Sequence, residues 1–322
     1  MNFEKKLEIV KRNVEEIITE EKLVELLKKK KHPITYCGYE PSGGIHLGHL
    51  VTITKLLDLQ KAGFRVKVLF ADWHAWLNRK GDWDFIHKTA KHWEKGFRAA
   101  GLSEAEFILG SKFQRKMGYV DDVVTLALKT TMNRALRSME MVARDIENAK
   151  VSQVIYPLMQ IADIKWLKID FVEAGIEQRK IHMLGLETLH EINYNAPVFC
   201  HTPLIPSLSG GEGKMSSSTA ESMISITDSD DIIEKKIKSA YCKEGEKDNA
   251  VLSIARLVVF PRFEEFLIKR PEKFGGNVSF KNYDELEKEF VEKKIHPADL
   301  KNSVSEHLIE AIRPIRENFE TG

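Results

Sequence analysis

Two histidines three residues apart, His46 and His49, stand in a stretch whose backbone is open because Gly43, Gly44 and Gly48 surround them. The stretch lies where a predicted first strand turns into a helix, and the free N–H groups and the dipole of a helix N-terminus attract an anion. Two imidazoles add hydrogen-bond donors at that place. The pattern predicts a phosphate-binding turn. Two alternatives stay open: one capping and one core histidine, or metal ligands whose third partner is not visible.

A second group of polar residues lies in a loop rich in glycine, proline and serine that begins at Thr202. Its end, Gly210-Gly-Glu-Gly-Lys-Met-Ser-Ser-Ser218, supplies one cation and three hydroxyls. It is not a Walker A loop, because Leu208 replaces the first glycine and Met215 follows the lysine. One lysine and three hydroxyls on a glycine hinge are suited to closing over phosphate oxygens. A solvated linker is the alternative.

Strands and helices that alternate along the first two thirds of the chain must position these residues. Apolar, β-branched runs predict five strands, at Ile34–Tyr39, Val66–Ala71, Glu106–Leu109, Asp170–Glu173 and Pro197–Cys200. Helical patterns lie between these strands. Such alternation is typical of an α/β fold with a doubly wound parallel sheet.

Helical patterns occupy the rest of the chain. The segment Phe3 to Leu27 predicts an N-terminal helical arm, and Val120 to Leu167 reads as helical throughout. Beyond Asp228 the pattern is helical and charged, without strand alternation. We therefore expect a smaller, mainly α-helical C-terminal domain at residues 229–322, after a first domain at 1–228.

Three polar residues of the long helical stretch, Tyr156, Gln160 and Asp163, are spaced i, i+4 and i+7, so they share one helix face. The surrounding residues are mostly Ile, Leu and Met. An exposed polar stripe is one interpretation. If the face is buried, its polar groups need partners, which a polar ligand could supply.

Composition limits the class of protein. The 322 residues include 49 Lys and Arg and 48 Asp and Glu, so the net charge of +1 gives no global attraction to nucleic acid. Three cysteines without a C-x-x-C pair suggest neither a disulfide framework nor a zinc site, and fit a reducing cytoplasm. No targeting segment or long apolar run is visible, so we expect no membrane association and no metal-binding residue.

Taken together, His46-Leu-Gly-His49 and Lys214-Met-Ser-Ser-Ser218 resemble the two signature motifs of class I aminoacyl-tRNA synthetases, His-Ile-Gly-His and Lys-Met-Ser-Lys-Ser. Thr219 departs from relatives that often carry a lysine there. Further segments are similar to the archaeal and eukaryotic type of tyrosyl-tRNA synthetase: Tyr36–Gly43, Leu69–His74, Val154–Gln160, Glu177–His182 and His296–Leu300.

The resemblance implies a Rossmann-like catalytic domain with a helical insert at about 120–147 and a signature loop at 202–219, followed by an anticodon-binding domain. It implies that ATP, with Mg²⁺, converts L-tyrosine to tyrosyl-adenylate and that the tyrosyl group then passes to the 3′ end of tRNA(Tyr). The residues that it assigns to catalysis are His46, His49, Lys214, Ser216, Ser217 and Ser218. ATP would also contact Gly43, Gly44, Gly48 and Met215.

The resemblance also assigns residues to the amino acid and to tRNA. The phenol of tyrosine would sit between Tyr36 and Asp163, and its ammonium group would meet Tyr156, Gln160 and Gln178. The remaining tyrosine-binding residues would be Gly38, Glu40, Leu69, Ala71, His74 and Gln114. For tRNA they would be Arg137, Arg179, Lys180, Phe274, His296 and Asp299. Without the resemblance, Phe274 would be a turn-packing aromatic and Asp299 a helix cap. The family also implies a homodimer formed through the helical insert.

Other functions stay open at this point. A synthetase-like chain that has lost charging would serve as an RNA-binding protein, although all the pocket residues are present. A nucleotidyltransferase with the same histidine motif would not need a helical domain carrying Phe274 and Asp299. A tryptophanyl-tRNA synthetase would share the fold, but its indole pocket would not need the phenol-directed pair Tyr36 and Asp163.

Overall fold

The computed structural model describes residues 1–142, 148–210, 215 and 223–321. In these ranges one sheet has six strands in the order β1-β6-β5-β2-β3-β4. All neighbouring pairs are parallel except β1 and β6. The strands are β1 (Glu16–Ile18), β2 (Ile34–Tyr39), β3 (Arg65–Phe70), β4 (Glu106–Leu109), β5 (Phe171–Gly175) and β6 (Val198–Thr202). The predicted α/β fold with a mostly parallel sheet is confirmed.

Fourteen α-helices accompany the strands in the described part of the chain. In chain order they are α1 (Phe3–Lys11), α2 (Glu20–Lys29), α3 (Leu47–Lys61), α4 (Asp72–Leu77), α5 (Trp83–Ala99), α6 (Ser111–Gln114), α7 (Met117–Lys129), α8 (Met132–Ser138), α9 (Val151–Trp166), α10 (Arg179–Thr188), α11 (Asp230–Ser239), α12 (Ala250–Ile254), α13 (Tyr283–Val291) and α14 (Pro297–Thr321).

The N-terminal arm is not wholly helical, contrary to the prediction. Between α1 and α2 the chain forms β1, in which Glu16 is the register partner of His201 on β6. The three residues of β1 are too short to show a two-residue period, and the helical spacing of the flanking residues hides them. Pairing with β6 decides the local structure there.

Two further expectations about helices are wrong. The segment from Val120 to Leu167 is broken, because α7 ends at Lys129 and the Thr131 side chain caps α8. The C-terminal region is mainly helical, as predicted, but it also contains an antiparallel hairpin of β7 (Phe266–Ile268) and β8 (Val278–Phe280). Three-residue strands are too short to show alternation in the sequence.

The described residues form two compact units. The first contains residues 1–42, 55–94 and 102–203, and it includes the whole six-stranded sheet. The second contains residues 43–54, 95–101 and 204–322, and it includes the hairpin and α11 to α14.

The strand order of the first unit marks the place for a ligand. Strand β2 lies between β3 and β5, so the connections leave it in opposite directions along the sheet. Ligands of doubly wound folds bind beyond the carboxyl ends of the strands at such a reversal. Tyr36 on β2 packs in the same apolar cluster as Leu69, Tyr156 and Phe199. The core of this unit therefore continues into the candidate site.

Candidate active site

A buried carboxyl lies at the centre of the predicted amino-acid pocket. Asp163, near the end of α9, is 1% exposed. Gln114 Nε2 donates a hydrogen bond to its Oδ1 at 2.8 Å, and the Tyr119 hydroxyl lies 2.8 Å from the same oxygen. Burial raises the pKa of Asp163 to about 8, against the opposing effect of these two hydrogen bonds. The carboxyl is therefore held mainly in its neutral form at pH 7.

Several buried polar atoms around this carboxyl have no hydrogen-bond partner among the described residues. They include Asp163 Oδ2, Gln114 Oε1 and His74 Nε2. His74 Nε2 lies 3.7 Å from Asp163 Oδ2, and burial lowers the pKa of His74 to about 4, so its ring is neutral at pH 7. Buried polar atoms are rarely left unsatisfied in native proteins. These three atoms can therefore serve a polar group on a ligand.

Tyr36 contributes a second hydroxyl to this end of the pocket. It lies on β2 and is buried. Burial, together with the charge that Asp163 would carry, raises the pKa of the Tyr36 phenol well above its usual value. Tyr36 therefore stays a neutral hydrogen-bonding group at all ordinary pH values.

The polar face of α9 is buried at two of its three positions. Tyr156 and Asp163 are buried and Gln160 is half-buried, so the exposed-stripe interpretation is wrong. The Tyr156 ring meets the His74 ring edge-on at 4.6 Å between centroids. Gln160 Nε2 donates to Gln178 Oε1 at 3.2 Å. The structure thus brings together Gln160 and Gln178, two of the residues that the resemblance assigns to the ammonium group.

The remaining predicted pocket residues line the strand ends of the first unit. Leu69, within β3, and Ala71, directly after it, are buried apolar residues. A Cβ atom on Gly38 would lie 3.9 Å from Leu69 Cδ2, which is ordinary contact. Glu40 accepts hydrogen bonds from Asn78 Nδ2 at 3.0 and 3.2 Å, and Lys80 Nζ lies 3.4 Å from it. The Glu40 carboxylate is therefore held in place by Asn78 and Lys80.

Sequence reasoning missed two residues that hold this pocket together. Tyr119 contacts Asp163 from a helix that reads only as apolar, and Asn78 holds Glu40 from the end of α4. Neither residue lies in a motif. In the sequence, Tyr119 and Asn78 are marked only by being polar residues in or next to a short or apolar helix. The partner of each lies far away in sequence.

The second predicted group, His46 and His49, is built by the N-terminus of α3 in the second unit. The Gly48 backbone N–H donates to His46 Nδ1 at 3.1 Å, and the His46 backbone N–H donates to His49 Nδ1 at 3.1 Å. The ring centroids are 4.0 Å apart. Burial, with the proximity of His46, lowers the pKa of His49 well below its usual value. Because both Nδ1 atoms accept, a neutral ring carries its hydrogen on Nε2.

Two of the nearby glycines have different roles. A Cβ on Gly48 would lie 2.8 Å from His46 Cε1 and 3.0 Å from Nδ1, so only glycine leaves that ring in place. Among the described residues, the nearest atom to a Cβ on Gly44 would be Ser225 Oγ, at 3.8 Å. The Ser225 backbone bridges to His46, and its hydroxyl donates to the Ile45 carbonyl at 3.1 Å. The histidine turn is thus fixed by a short backbone ladder.

The signature loop is described at only one position after residue 210. Met215 is buried, and its backbone N–H donates to the Ile205 carbonyl at 2.9 Å. The other predicted loop residues, Lys214, Ser216, Ser217 and Ser218, lie outside the described residues, as does Thr219.

Comparison with known proteins agrees with the site geometry. The family described as tRNA synthetases class I (W and Y) matches residues 28–313 of the chain. A protein named tyrosine–tRNA ligase from Methanosarcina mazei is 47% identical over 315 residues, covering 97% of this chain and 98% of the relative. A crystal structure of tyrosyl-tRNA synthetase complexed with L-tyrosine, from Archaeoglobus fulgidus, is 45% identical with a TM-score of 0.95, covering 99% of this chain and all of the other.

The chain belongs to the class I tRNA synthetases. The resemblance drawn from the sequence motifs, to a tyrosyl-tRNA synthetase, is confirmed.

The basic residues that this synthetase is predicted to use for tRNA lie on exposed surfaces, and most have partners. Arg137 on α8 is exposed, with Nε 3.4 Å from the Asn133 carbonyl. Arg179 Nε lies 2.5 Å from Glu16 Oε1, and Lys180 pairs with Glu140. The Lys180–Glu140 pair is solvent-exposed and weak enough to exchange for phosphates, whereas the Glu16 carboxylate that pairs with Arg179 is half-buried.

The C-terminal residues predicted to contact tRNA are on the surface as well. Phe274 is 61% exposed, with Lys273 Nζ 4.9 Å from its ring centroid, so it is not a packed turn aromatic. His296 Nδ1 accepts the Ala298 backbone N–H at 3.2 Å and caps α14. Asp299, in the first turn of α14, is half-buried and is not the cap residue.

The described ranges contain neither a metal-holding cluster nor a membrane-spanning helix. No group of three or more His, Cys, Asp or Glu side chains there is arranged to hold a metal ion. None of the helices that the structure describes is both long and apolar enough to cross a membrane.

Proposed function

We propose that this chain activates L-tyrosine with ATP to form tyrosyl-adenylate and transfers the tyrosyl group to the 3′ end of tRNA(Tyr). The observation that carries the proposal is the buried carboxyl Asp163, whose Oδ2 has no hydrogen-bond partner in the described part of the chain. A phenol hydroxyl supplies that partner. The name of the Methanosarcina mazei relative and the tyrosine complex of the Archaeoglobus fulgidus structure support the same substrate.

Selection of tyrosine follows from hydrogen bonding at the buried end of the pocket. The ligand hydroxyl would pair with Asp163 and Tyr36, with Gln114 and His74 as neighbouring walls. Phenylalanine would leave these buried groups unsatisfied, at a cost of about 1 to 3 kcal/mol for each group. The ammonium group would meet Tyr156, Gln160 and Gln178. Gly38, Glu40, Leu69 and Ala71 would complete the pocket.

Adenylate formation needs no protein nucleophile. The tyrosine carboxylate attacks the α-phosphate of ATP, and pyrophosphate leaves. The Nε2–H donors of His46 and His49 at the N-terminus of α3 would stabilise charge on the phosphates, with Gly43, Gly44 and Gly48 allowing close approach. Lys214, Met215 and the hydroxyls of Ser216, Ser217 and Ser218 would contribute from the signature loop.

Magnesium would enter with ATP. Because no metal-holding cluster occurs among the described side chains, we expect the phosphate oxygens and water to supply most of its ligands. When bound, Mg²⁺ neutralises phosphate charge. The contribution of the protein is to position the two substrates and donate hydrogen bonds.

In the second step, a hydroxyl of the terminal adenosine of tRNA attacks the activated carbonyl, and AMP leaves. We propose that Arg137, Arg179 and Lys180 contact the acceptor end and that residues 229–322 read the anticodon through Phe274, His296 and Asp299. An exposed aromatic ring offers a stacking face, and a carboxylate accepts from the Watson–Crick edge of guanine.

We also propose that the protein is a cytoplasmic homodimer. Val120, Val124 and Leu128 recur every four residues on α7, and Val124 and Leu128 are 61% and 82% exposed. A contiguous exposed apolar stripe marks an interaction surface, and a two-fold contact buries the same stripe on both copies. The location is supported by three cysteines that are all free, two of them buried.

Pyrophosphate exchange with three amino acids tests the activity. With ATP and Mg²⁺ present, tyrosine should stimulate exchange, and tryptophan or phenylalanine should not. Asp163→Ala should weaken the tyrosine response by about 1 to 3 kcal/mol, whereas Glu187→Ala, at an exposed ion pair with Arg134, should leave it unchanged. Stimulation by tryptophan at comparable efficiency, or none by any amino acid, would contradict the proposal.

A further inference from the structure

A line of polar side chains in close contact connects β1 to the ammonium end of the pocket. Glu16 Oε1 lies 2.9 Å from His201 Nδ1, off the axis of the ring N–H. His201 Nε2 lies 2.8 Å from His182 Nδ1. His182 Nε2 lies 3.5 Å from Gln160 Nε2, which also donates to Gln178. None of Glu16, His182 and His201 has a role in the proposed reaction.

The two histidines in this line are fully buried and neutral. Their ring planes are 19° apart, with centroids separated by 5.0 Å, and the Phe199 ring lies against His182. Burial lowers the pKa of both imidazoles, and for His182 the proximity of His201 adds to the effect. A neutral imidazole has one donor and one acceptor nitrogen, so the tautomer of each ring decides from which nitrogen it donates.

Glu16 determines which nitrogen of each histidine ring carries the hydrogen. Arg179 Nε lies 2.5 Å from the same Glu16 oxygen, which keeps an anionic acceptor in place. The negative charge of Glu16, 2.9 Å from His201 Nδ1, favours the tautomer that carries its hydrogen on that nitrogen, so His201 accepts at Nε2. His182 must then donate from Nδ1, which leaves its Nε2 as an acceptor. The neighbour that can supply a hydrogen there is the Gln160 amide nitrogen.

The same reasoning fixes the orientation of the Gln160 amide. Its NH₂ group is shared between Gln178 Oε1 and His182 Nε2, and its carbonyl oxygen is left for a ligand donor. We propose that Glu16, His201 and His182 are positioning residues that hold the Gln160 amide with its oxygen available to the α-ammonium group of the bound amino acid. This inference rests on the proposed function, which places an ammonium group at that end of the pocket.

The alternative is a buried polar cluster that only stabilises the fold. Such a cluster would affect every ligand of the pocket alike. Positioning of Gln160 instead matters only for ligands that carry an ammonium group. A pair of ligands that differ in this group alone, tyrosine and its desamino analogue, therefore separates the two roles.

Glu16→Gln is the sharpest variant, because it keeps size and hydrogen-bonding capacity but allows an amide N–H to face His201. The line can then reverse and place the Gln160 NH₂ group against the ammonium group. We expect the Kd of tyrosine to rise about tenfold to a hundredfold and the Kd of the desamino analogue to change less than twofold. Glu16→Asp, which keeps a carboxylate, should recover most of the tyrosine affinity.

The matched control is Glu187→Gln, which alters an exposed glutamate paired with Arg134 in the same unit. It should leave both affinities unchanged. Equal losses for both ligands in Glu16→Gln would overturn the positioning role. If the parent bound the desamino analogue but not tyrosine, the proposed function would fail instead.

Nitrogen-15 NMR of the ligand-free protein tests the line independently of any ligand. Multiple-bond spectra report which ring nitrogen carries hydrogen, and we expect Nδ1–H for both His182 and His201. In Glu16→Gln the Nε2–H form should become populated at both rings. An Nε2–H form at either ring of the parent would overturn the proposal, whatever the protein binds.

Discussion

The Tyr119 hydroxyl lies 2.8 Å from Asp163 Oδ1, although the two residues are 44 positions apart. Together with Gln114 it fixes the carboxyl that would meet the phenol of the substrate. Tyr119→Phe removes this contact and lets the carboxyl rotate. We expect the Kd of tyrosine, measured by calorimetry, to rise about fivefold to a hundredfold, which corresponds to about 1 to 3 kcal/mol.

The control for this variant is Tyr194→Phe. The Tyr119 hydroxyl lies 2.9 Å from the Met159 carbonyl as well, and the Tyr194 hydroxyl likewise donates to a backbone carbonyl, that of Ile169, at 2.9 Å. Tyr194, however, is not among the pocket residues. It should lose a similar amount of stability and keep the parent's tyrosine affinity. An unchanged Kd in Tyr119→Phe would mean that Gln114 alone is sufficient to hold Asp163.

Two buried carboxyls should make the stability of the ligand-free protein depend on pH. Burial raises the pKa of Asp163 and of Glu173 to about 8. In the unfolded chain such groups titrate near pH 4, so between about pH 4 and 8 the folded state holds more protons than the unfolded state. The contribution of each carboxyl to the free energy of unfolding therefore falls by about 1.4 kcal/mol per pH unit as pH rises through this window. The buried histidines, whose pKa values are lowered, contribute with the opposite sign below about pH 6.5.

Urea unfolding at pH 5, 6.5 and 8 measures this slope. Asp163→Asn and Glu173→Gln should each remove one of the two contributions, and at pH 8 each variant should be more stable than the parent. Asp230 gives the control, since its ion pairs with Arg316 and Arg313 lower its pKa and act only at acid pH. Asp230→Asn should keep the slope between pH 5 and 8. A slope that Asp163→Asn and Glu173→Gln both leave unchanged would contradict the assignment.

The candidate site residues that lie in local motifs could be read from the sequence more easily than the contacts between residues that are far apart in it. His46, His49, Tyr156 and Asp163 could be singled out because helix and strand–turn–helix spacing is local information. The contacts of Tyr119 with Asp163 and of Glu16 with His201 could not, because they join residues far apart in sequence. The three-residue strands β1, β7 and β8 are not predicted either, because they too depend on pairing with another strand.

The three-residue strands show this limit clearly. β1 exists because β6 offers an edge, and β7 exists because β8 pairs with it. Neither is long enough to have a period of its own. Longer strands with many buried residues, such as β2 and β3, are predicted within one residue of their observed ends.

Gly48 should be required for adenylate formation. A Cβ there would displace the His46 ring and break the bond from the Gly48 N–H to His46 Nδ1. Because oriented donors contribute mainly in the transition state, Gly48→Ala should slow single-turnover adenylate formation by at least about tenfold while tyrosine affinity is kept. Gly118→Ala, at an exposed position of α7 where a Cβ would lie 3.4 Å from Trp166 Cζ2, should react at the parent rate. Equal rates for the two variants would show that the ring position is not critical.

The apolar stripe of α7 should hold the proposed dimer together. Val124→Glu places a charge on its exposed centre, and we expect sedimentation to report a monomer at concentrations where the parent is a dimer. Val291→Glu, at an exposed valine of α13, is the matched control and should leave the parent's oligomeric state unchanged. A parent that sediments as a monomer would remove the dimer from the proposal.

Asp299 and Asp284 provide a test of anticodon reading, because both are acidic residues in the first turn of a helix. Asp299 lies in α14, capped by His296, and Asp284 lies in α13, capped by Asn282. Removing either carboxylate should cost the helix about 0.3 to 1 kcal/mol through its dipole. A difference between the two variants in tRNA charging therefore reports a contact with tRNA.

Asp299→Ala should leave tyrosine-dependent pyrophosphate exchange intact and lower kcat/KM for charging by about 1 to 3 kcal/mol, the range for a lost base-edge contact. Asp284→Ala should charge tRNA as the parent does. The loss in Asp299→Ala should shrink for a tRNA whose first anticodon base is not guanine, because the carboxylate then has no N1 and N2 donors to accept from. If Asp299→Ala charges both tRNAs at the parent rate, the Asp299 carboxylate contributes only to the first turn of α14, and the anticodon must be read by other residues or not at all.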